Sequence, residues 1–370
     1  EATGMLHWDA AVMMPTGGAD ARAEQIAALV SLRHELQCRT DMADLFAAAA
    51  EDDDLSPWQA ANLREMRRGW MHATALPADL VEARSKAGVA CEIAWREARP
   101  KSDFAGITGL LAEVLRLETE AAEIKAEALD CTPYDALLDQ YSPGIDTATV
   151  ERTFAQLTEF LPDFIQAVIE RQATHPAPAL PKGPFPLATQ REVGMRFMAA
   201  LGFDFEGGRL DVSTHPFSGG TPDDLRITTR YDEDDFATGL MGILHETGHA
   251  LYERGLPKDW RLAPVGTARG MDIHESQSLL IEMQACRSKP FIDYAAPILK
   301  DAFGGSGPLW DTNNLYGIFT QVNCGLIRVD ADEATYPLHV ILRTDLERAM
   351  LAGDLAINDL PGAWNDGMQR

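Results

Sequence analysis

Apolar residues recur with helical spacing through the first half of the chain. In residues 19–38 they fall largely on one stripe of a helix, at Ile26, Leu29, Val30, Leu32 and Leu36. The same spacing predicts further helices over 56–74, 77–99, 103–129 and 147–172. Pro162 falls inside the last of these, where a proline can kink a helix.

The middle of the chain changes character. Residues 174–188 are rich in proline and read as an extended segment. Segments 209–213 and 225–231 then alternate like strands, and the loop THPFSGGTPDD between them predicts a hairpin. Helical patterns resume at about Asp234 and continue to the end.

These patterns predict a mainly α fold with a small antiparallel β-sheet. Three regions are expected: an N-terminal helical region (1–173), a Pro-rich linker with the sheet (174–233), and a catalytic helical region (234–370), the whole forming one contiguous catalytic body.

Charge and composition narrow the class of protein. The formal net charge of −25 disfavours nucleic acid and anionic membranes as partners. No stretch approaches the roughly 20 apolar residues that cross a bilayer, and the N-terminal residues do not read as a signal peptide. The five cysteines are an odd, scattered set without a CxxC pair, which favours a cytoplasmic location over a disulfide framework.

The stretch LHETGHALYERG (244–255) contains the clearest candidate for a metal-binding site. His245 and His249 are four residues apart, and positions four apart share one face of a helix. Two imidazoles at that spacing can bind one Zn²⁺, and Glu246 beside the first can act on a zinc-bound water as the general base. Chance occurrence on a polar helix face is the competing interpretation.

A catalytic zinc site usually has a third protein ligand. The segment MDIHESQS (271–278) offers two candidates, Glu275 and the adjacent His274; the residues alone favour Glu275 and leave His274 as the alternative. His274 and Asp272 are also candidates for groups that orient the imidazole ligands.

HETGHALYE followed by HESQS resembles the M32 family of metallocarboxypeptidases, the thermostable carboxypeptidase group. Further segments match in the family's order along essentially the whole chain: HWDAAVMMPTGGADARAEQIAAL (7–29), HPF (215–217), RITTRYDEDDF (226–236), LIRVDADEATYPLHVILRTDLERAMLAGDL (326–355) and LPGAWND (360–366). The resemblance implies a large helical body with a deep active-site groove, similar to neurolysin, often found as a homodimer. It also implies hydrolysis of single residues from peptide C-termini.

Carried over position by position, the resemblance assigns several roles. His245, His249 and Glu275 are implied as zinc ligands, with Co²⁺ or Mn²⁺ able to use the same set, and Glu246 as the catalytic glutamate. Three further motifs also match: IRxxAD at Ile327, Arg328, Ala331 and Asp332, TTR at Thr228, Thr229 and Arg230, and HPF beginning at His215.

An exopeptidase must recognise a free α-carboxylate, and a guanidinium can bind it with two parallel hydrogen bonds. Arg328 is therefore the first candidate for that contact and Arg230 the second, while an ordinary salt bridge is the alternative for either. His215 is a third candidate for substrate binding; its alternative is to cap a turn.

Relatives in the family normally begin some tens of residues earlier and continue through a closing motif of the form GxxQDxHW, which these 370 residues do not contain. That difference predicts a chain that binds metal with weak or no activity. Two other functions stay open: a zinc endopeptidase or oligopeptidase of related fold, which HExxH alone does not exclude, and a catalytically incomplete metal-binding homologue.

Overall fold

The structure is a computed structural model that describes residues 1–213, 215–328 and 331–369. Its α-helices, numbered α1 to α15, are Ala2–Val12, Ala19–Gln37, Met42–Ala50, Pro57–Ala75, Ala78–Ala98, Thr108–Leu129, Pro133–Leu138, Thr147–Gln172, Leu187–Ala200, Phe236–Gly255, Met271–Leu279, Lys289–Ala302, Thr312–Phe319, Tyr336–Leu351 and Leu360–Met368. A π-helix, Leu280–Ala285, continues α11. Strands β1 to β3 are Gly208–Val212, Phe217–Thr221 and Asp224–Thr229.

The mainly helical fold with a small sheet is confirmed. The five helices predicted from spacing in the first half correspond to α2, α4, α5, α6 and α8. The spacing did not predict which side chains are buried, however. Three apolar residues of the predicted stripe on α2, Val30, Leu32 and Leu36, are exposed. No helix among the described residues combines the length and apolarity that a bilayer span requires.

The predicted hairpin between 209–213 and 225–231 is wrong. β1 pairs with β3 in parallel, in the register Leu210 to Ile227. The segment read as a loop contains β2, which pairs antiparallel with β3 and places Phe217 opposite Thr228. The sheet is therefore mixed, in the order β1-β3-β2. Parallel strands need a longer connection than the strands of a hairpin do, and the connection between β1 and β3 contains β2.

The described residues form two compact units that each join segments distant in sequence. The first unit contains residues 1–65 and 172–321, and the second contains the described residues of 66–171 and 322–370. The division at 174 and 234 expected from the sequence follows chain order and stays a prediction.

In the first unit, α10 is held by apolar contacts on two sides. Towards its N-terminal end, Phe236 packs against Phe185 and Trp310, with ring centroids 5.0 and 5.8 Å apart. Further along, Ile243 is fully buried in a cluster with the sheet residues Leu210 and Ile227. Burying a side chain of this size contributes about 1.5–3 kcal/mol, so α10 is a firmly seated helix.

The second unit has its own small cores. Leu80 of α5 and Leu117 of α6 share one buried cluster, and Leu161 of α8 shares another with Ala334. An ion pair between Arg84 and Glu118 also links α5 to α6.

Candidate metal centre

The helix that carries the HExxH motif begins and ends where local chemistry dictates. Asp235 precedes α10, and its side chain accepts hydrogen bonds from the backbone N–H groups of Ala237 and Thr238. These contacts satisfy two donors that a helix N-terminus leaves without partners. The helix ends at Gly255, before Leu256 turns to an extended conformation.

His245, His249 and Glu275 converge between α10 and α11. One potential ligand atom from each lies within 4.8 Å of the other two. The Glu275 Oε2 atom is 3.3 Å from His249 Nε2 and 3.8 Å from His245 Nε2. Tetrahedral ligands about 2.0–2.1 Å from a zinc ion lie roughly 3.4 Å apart, so this spacing fits one ion.

The antiparallel course of α10 and α11 produces this convergence. His274 of α11 contacts Glu253 near the C-terminal end of α10, whereas Glu282, in the π-helix that follows α11, contacts His245, two turns earlier in α10. Gly248 allows the helices to approach, because a Cβ there would lie 2.6 Å from the Gln277 carbonyl oxygen and from Ser278 Cα. The glycine inside HExxH is therefore a packing requirement.

Each imidazole has a partner on its other nitrogen. His245 Nδ1 lies 3.0 Å from Glu282 Oε2, and His249 Nδ1 lies 2.6 Å from His274 Nδ1. His274 Nε2 in turn lies 2.9 Å from Glu253 Oε1. With both Nδ1 atoms engaged, the Nε2 atoms are the ones directed towards Glu275, as a metal ligand set requires.

The carboxylates and burial set the charge of the centre. The hydrogen bond with His249 lowers the pKa of Glu275 against the opposing effect of burial. Burial by itself would lower the pKa of His245, but the hydrogen bond to Glu282 and the nearby carboxylates raise it overall. Opposite charges thus favour an ionised Glu275, which is the form that binds a cation.

Glu246 differs from the three potential ligands because it is buried, with 7% of its surface exposed. Burial raises the pKa of its carboxyl group, although the adjacent imidazoles His245 and His249 oppose the shift. A carboxylate with a raised pKa is a better proton acceptor, and such groups concentrate in active sites.

Sequence reasoning missed three residues of this centre: Glu282, Arg287 and Glu253. The Arg287 guanidinium donates to Glu282 Oε1 across 2.5 Å. A weak signal existed, since Glu253 follows His249 by four residues and Glu282 follows Glu275 by seven, which are helix-face spacings. Charged residues at such spacings usually mark a solvated face.

Asp272, the other candidate for orienting an imidazole, is exposed on the first turn of α11. Its charge acts on Tyr252, whose pKa is raised first by burial and then by the charges of Glu253 and Asp272. Its predicted role at the metal centre stays a prediction.

Two predicted substrate residues of the first unit lie near the sheet. Arg230 is exposed directly after β3. His215 is also exposed, and its backbone oxygen accepts hydrogen bonds from the Ser213 and Thr228 hydroxyl groups. Thr228 and Thr229 of the TTR motif are fully buried, and the Thr228 hydroxyl contacts the His215 oxygen, so the motif links the backbone before Arg230 to that of His215.

Arg328 belongs to the second unit. Its Nη1 atom donates to the Tyr336 hydroxyl group across 3.2 Å, and its guanidinium lies 5.8 Å from the centre of the Tyr336 ring. Asp332, one turn beyond it in the IRxxAD motif, accepts hydrogen bonds from the backbone N–H groups of Asn323 and Ala334 instead. The two central motif positions, Val329 and Asp330, lie outside the described residues.

Known proteins similar to this chain are metallopeptidases, as the potential metal ligands would lead one to expect. The sequence model of the family described as carboxypeptidase Taq (M32) metallopeptidase matches residues 1–370. The thermostable carboxypeptidase 1 of Thermus thermophilus is 37% identical over 96% of this chain and 72% of its own length. The carboxypeptidase 1 of Bacillus subtilis is 33% identical over 100% of this chain and 74% of its own.

Solved structures show the same likeness. The Trypanosoma cruzi metallocarboxypeptidase 1 superimposes with a TM-score of 0.96 at 39% identity, over 100% of this chain and 74% of that one. The predicted family and enzyme class are confirmed. The chain belongs to the M32 family of metallocarboxypeptidases, which are hydrolases that depend on a divalent metal.

Proposed function

We propose that this chain is a zinc-dependent carboxypeptidase that removes single residues from the C-termini of peptides. The observation that carries the proposal is the convergence of His245, His249 and Glu275 on one point, beside the buried Glu246. Two imidazoles and one carboxylate are a donor set that zinc uses in hydrolytic sites, and Co²⁺ and Mn²⁺ can occupy the same ligands.

The chain's own residues supply the rest of the chemistry. When bound, zinc would act as a Lewis acid that acidifies water and polarises the scissile carbonyl group. Glu246 takes the proton from the attacking water, because burial raises the pKa of its carboxyl group and makes it a stronger base. The same carboxyl group then gives that proton to the leaving amine.

The ligands are oriented by groups behind them. We propose that His274 fixes the ring of His249, since their Nδ1 atoms are 2.6 Å apart and Glu253 holds the far side of His274. With His249 donating its Nδ1–H, His274 accepts at Nδ1 and donates from Nε2 to the Glu253 carboxylate. This arrangement leaves His249 Nε2 as the metal-binding atom.

We propose Arg328 as the residue that binds the substrate's α-carboxylate, with Arg230 and His215 as further substrate contacts. The assignment rests on the motif resemblance. It is supported by the hydrogen bond and ring contact with Tyr336, which hold the Arg328 guanidinium in place. A guanidinium held in this way can bind a carboxylate with two parallel hydrogen bonds.

The family resemblance also supports a homodimer, and the scattered, odd set of five cysteines supports a cytoplasmic location. Light scattering coupled to size-exclusion chromatography tests the first proposal. A mass near 81 kDa, about twice that of the 40.5 kDa chain, is expected, and a monomer mass at micromolar concentration contradicts it.

Glu246→Gln tests the mechanism. The variant keeps all three ligands, so it should bind zinc with unchanged stoichiometry while peptide hydrolysis falls by at least about 100-fold, in the range of general acid–base contributions. Parallel digestion of one peptide as the free acid and as the C-terminal amide tests the activity class. A carboxypeptidase leaves the amide intact, and cleavage of both at equal rates would indicate an endopeptidase.

A further inference from the structure

Glu282 lies directly behind one of the two metal-binding imidazoles. Its Oε2 atom is 3.0 Å from His245 Nδ1, and its other oxygen accepts a hydrogen bond from the Arg287 guanidinium. The side chain is buried, with 9% of the residue's surface exposed. A buried carboxylate costs free energy unless it is paired, and here both oxygens have donors.

The local backbone places Glu282 at this point. Residues Leu280–Ala285 form a π-helix, which widens the helical path immediately after α11. Such π-turns are rare and are frequent at functional sites. Since Glu275 faces the Nε2 side of His245 and Glu282 faces its Nδ1 side, one continuous helical segment holds both nitrogens of that ring.

We propose that Glu282 is a positioning residue of the metal centre: its carboxylate accepts the Nδ1–H of His245, directs Nε2 of that ring to the metal, and is itself held by Arg287. This inference rests on the proposed zinc site. It adds an anionic contact that neither the HExxH motif nor the HESQ segment contains.

The two ligand rings are supported differently. Among the described residues, His245 has a carboxylate in direct contact at Nδ1, whereas His249 contacts the imidazole of His274, and the carboxylate of Glu253 lies one group further away. A direct anionic acceptor increases the basicity of a ligand imidazole more than a neutral ring does. Zinc affinity should therefore depend on the Glu282 carboxylate itself.

The test measures zinc affinity by competition with a fluorescent chelator, for the unaltered chain and for Glu282→Ala and Glu282→Gln. Loss of such a supporting group is expected to weaken zinc binding by about 10- to 100-fold in Glu282→Ala. Glu282→Gln should lose less zinc affinity than Glu282→Ala, because its amide oxygen still accepts the Nδ1–H of His245. Its affinity should still be at least about threefold below that of the unaltered chain, because the negative charge is gone.

Asp204→Asn provides a matched control. Asp204 forms an ion pair with Arg254 near the end of the same helix, with 2.8 Å between Nη1 and Oδ2, and does not touch the metal ligands. This variant also removes a carboxylate contact to α10. Because that contact lies away from the metal ligands, zinc affinity should stay within about twofold of the unaltered chain. Thermal unfolding of all metal-free proteins separates general destabilisation from a change in the site.

The outcomes distinguish the inference from the function on which it rests. If the unaltered chain binds zinc and both Glu282 variants match it within twofold, the positioning role is overturned and the metal site survives. Equal losses in both variants, accompanied by equal losses of metal-free stability, would make the contact structural and also overturn it. Failure of the unaltered chain to bind zinc overturns both proposals. If Glu282→Ala does not fold, Glu282→Gln decides alone by the same threefold criterion.

Discussion

Gly248 allows α10 and α11 to pack closely at the metal centre but supplies no ligand. Gly248→Ala therefore tests how far the centre depends on this packing. A Cβ at this position would lie 2.6 Å from two backbone atoms of α11, where ordinary contact begins at 3.4 Å. The helices would have to separate by about 0.8 Å, which exceeds the roughly 0.2 Å tolerance of metal–ligand distances. Because Glu275 lies on the displaced helix, the ligand set should open.

The size of the effect follows from overpacking energies. Forcing a methyl group into a well-packed interior costs about 1–3 kcal/mol, against a gain of about 0.5–1 kcal/mol for replacing glycine within a helix. If the strain is relieved by separating α10 from α11, closing the site again on zinc costs about 1–3 kcal/mol. The zinc dissociation constant should then rise by about 5- to 150-fold.

Gly242→Ala is the matched control on the same helix. A Cβ there would meet Thr229 Oγ1 at 3.8 Å, which is ordinary van der Waals contact. The control should gain about 0.5–1 kcal/mol of stability and keep its zinc affinity. Chelator competition and thermal unfolding of the metal-free proteins measure both quantities. The reasoning is refuted if Gly248→Ala behaves like Gly242→Ala in both assays.

Three further predictions follow from other parts of the chain. Glu275→Ala should weaken zinc binding more than His274→Ala, because only Glu275 supplies a ligand oxygen; metal titration that finds the reverse order would exchange their roles. Arg328→Ala should cut the preference for free-acid over amidated peptides by about ten- to a hundredfold, and an unchanged rate ratio would remove Arg328 from substrate binding. Asp139→Asn should destabilise the second unit by about 1–2 kcal/mol at pH 7, since the hydrogen bond with His72 lowers the pKa of Asp139. That stabilisation is present above the unfolded pKa of about 3.9 and is lost as pH falls through the lower folded value, so the two urea-unfolding midpoints should converge below pH 4.

Local patterns in the sequence predicted much of the helical framework. The spacing of apolar residues gave α2 and α8 to within a residue at each end, and HExxH identified the face of α10 that presents His245 and His249. These features depend on residues that are near each other in the chain. Periodicity and motif spacing describe such local relationships directly.

Features that depend on distant segments were not predictable in the same way. The strand β2 was hidden because Gly219 and Gly220 read as a turn, and its pairing with β3 is visible only in the folded chain. Glu282 was hidden because a glutamate near the end of a helical pattern is usually solvated. Its contact with His245 requires both the antiparallel approach of two helices and the π-helix that follows α11.

The central claim is that one metal ion binds between α10 and α11. Anomalous diffraction on either side of the zinc absorption edge, from crystals of the zinc-loaded chain, tests it most directly. We predict a single strong peak bounded by His245 Nε2, His249 Nε2 and the Glu275 carboxylate, at about 2.0–2.2 Å from each ligand atom. Crystals of fully loaded protein with no peak at that position, or with zinc held only by other residues, would contradict the account.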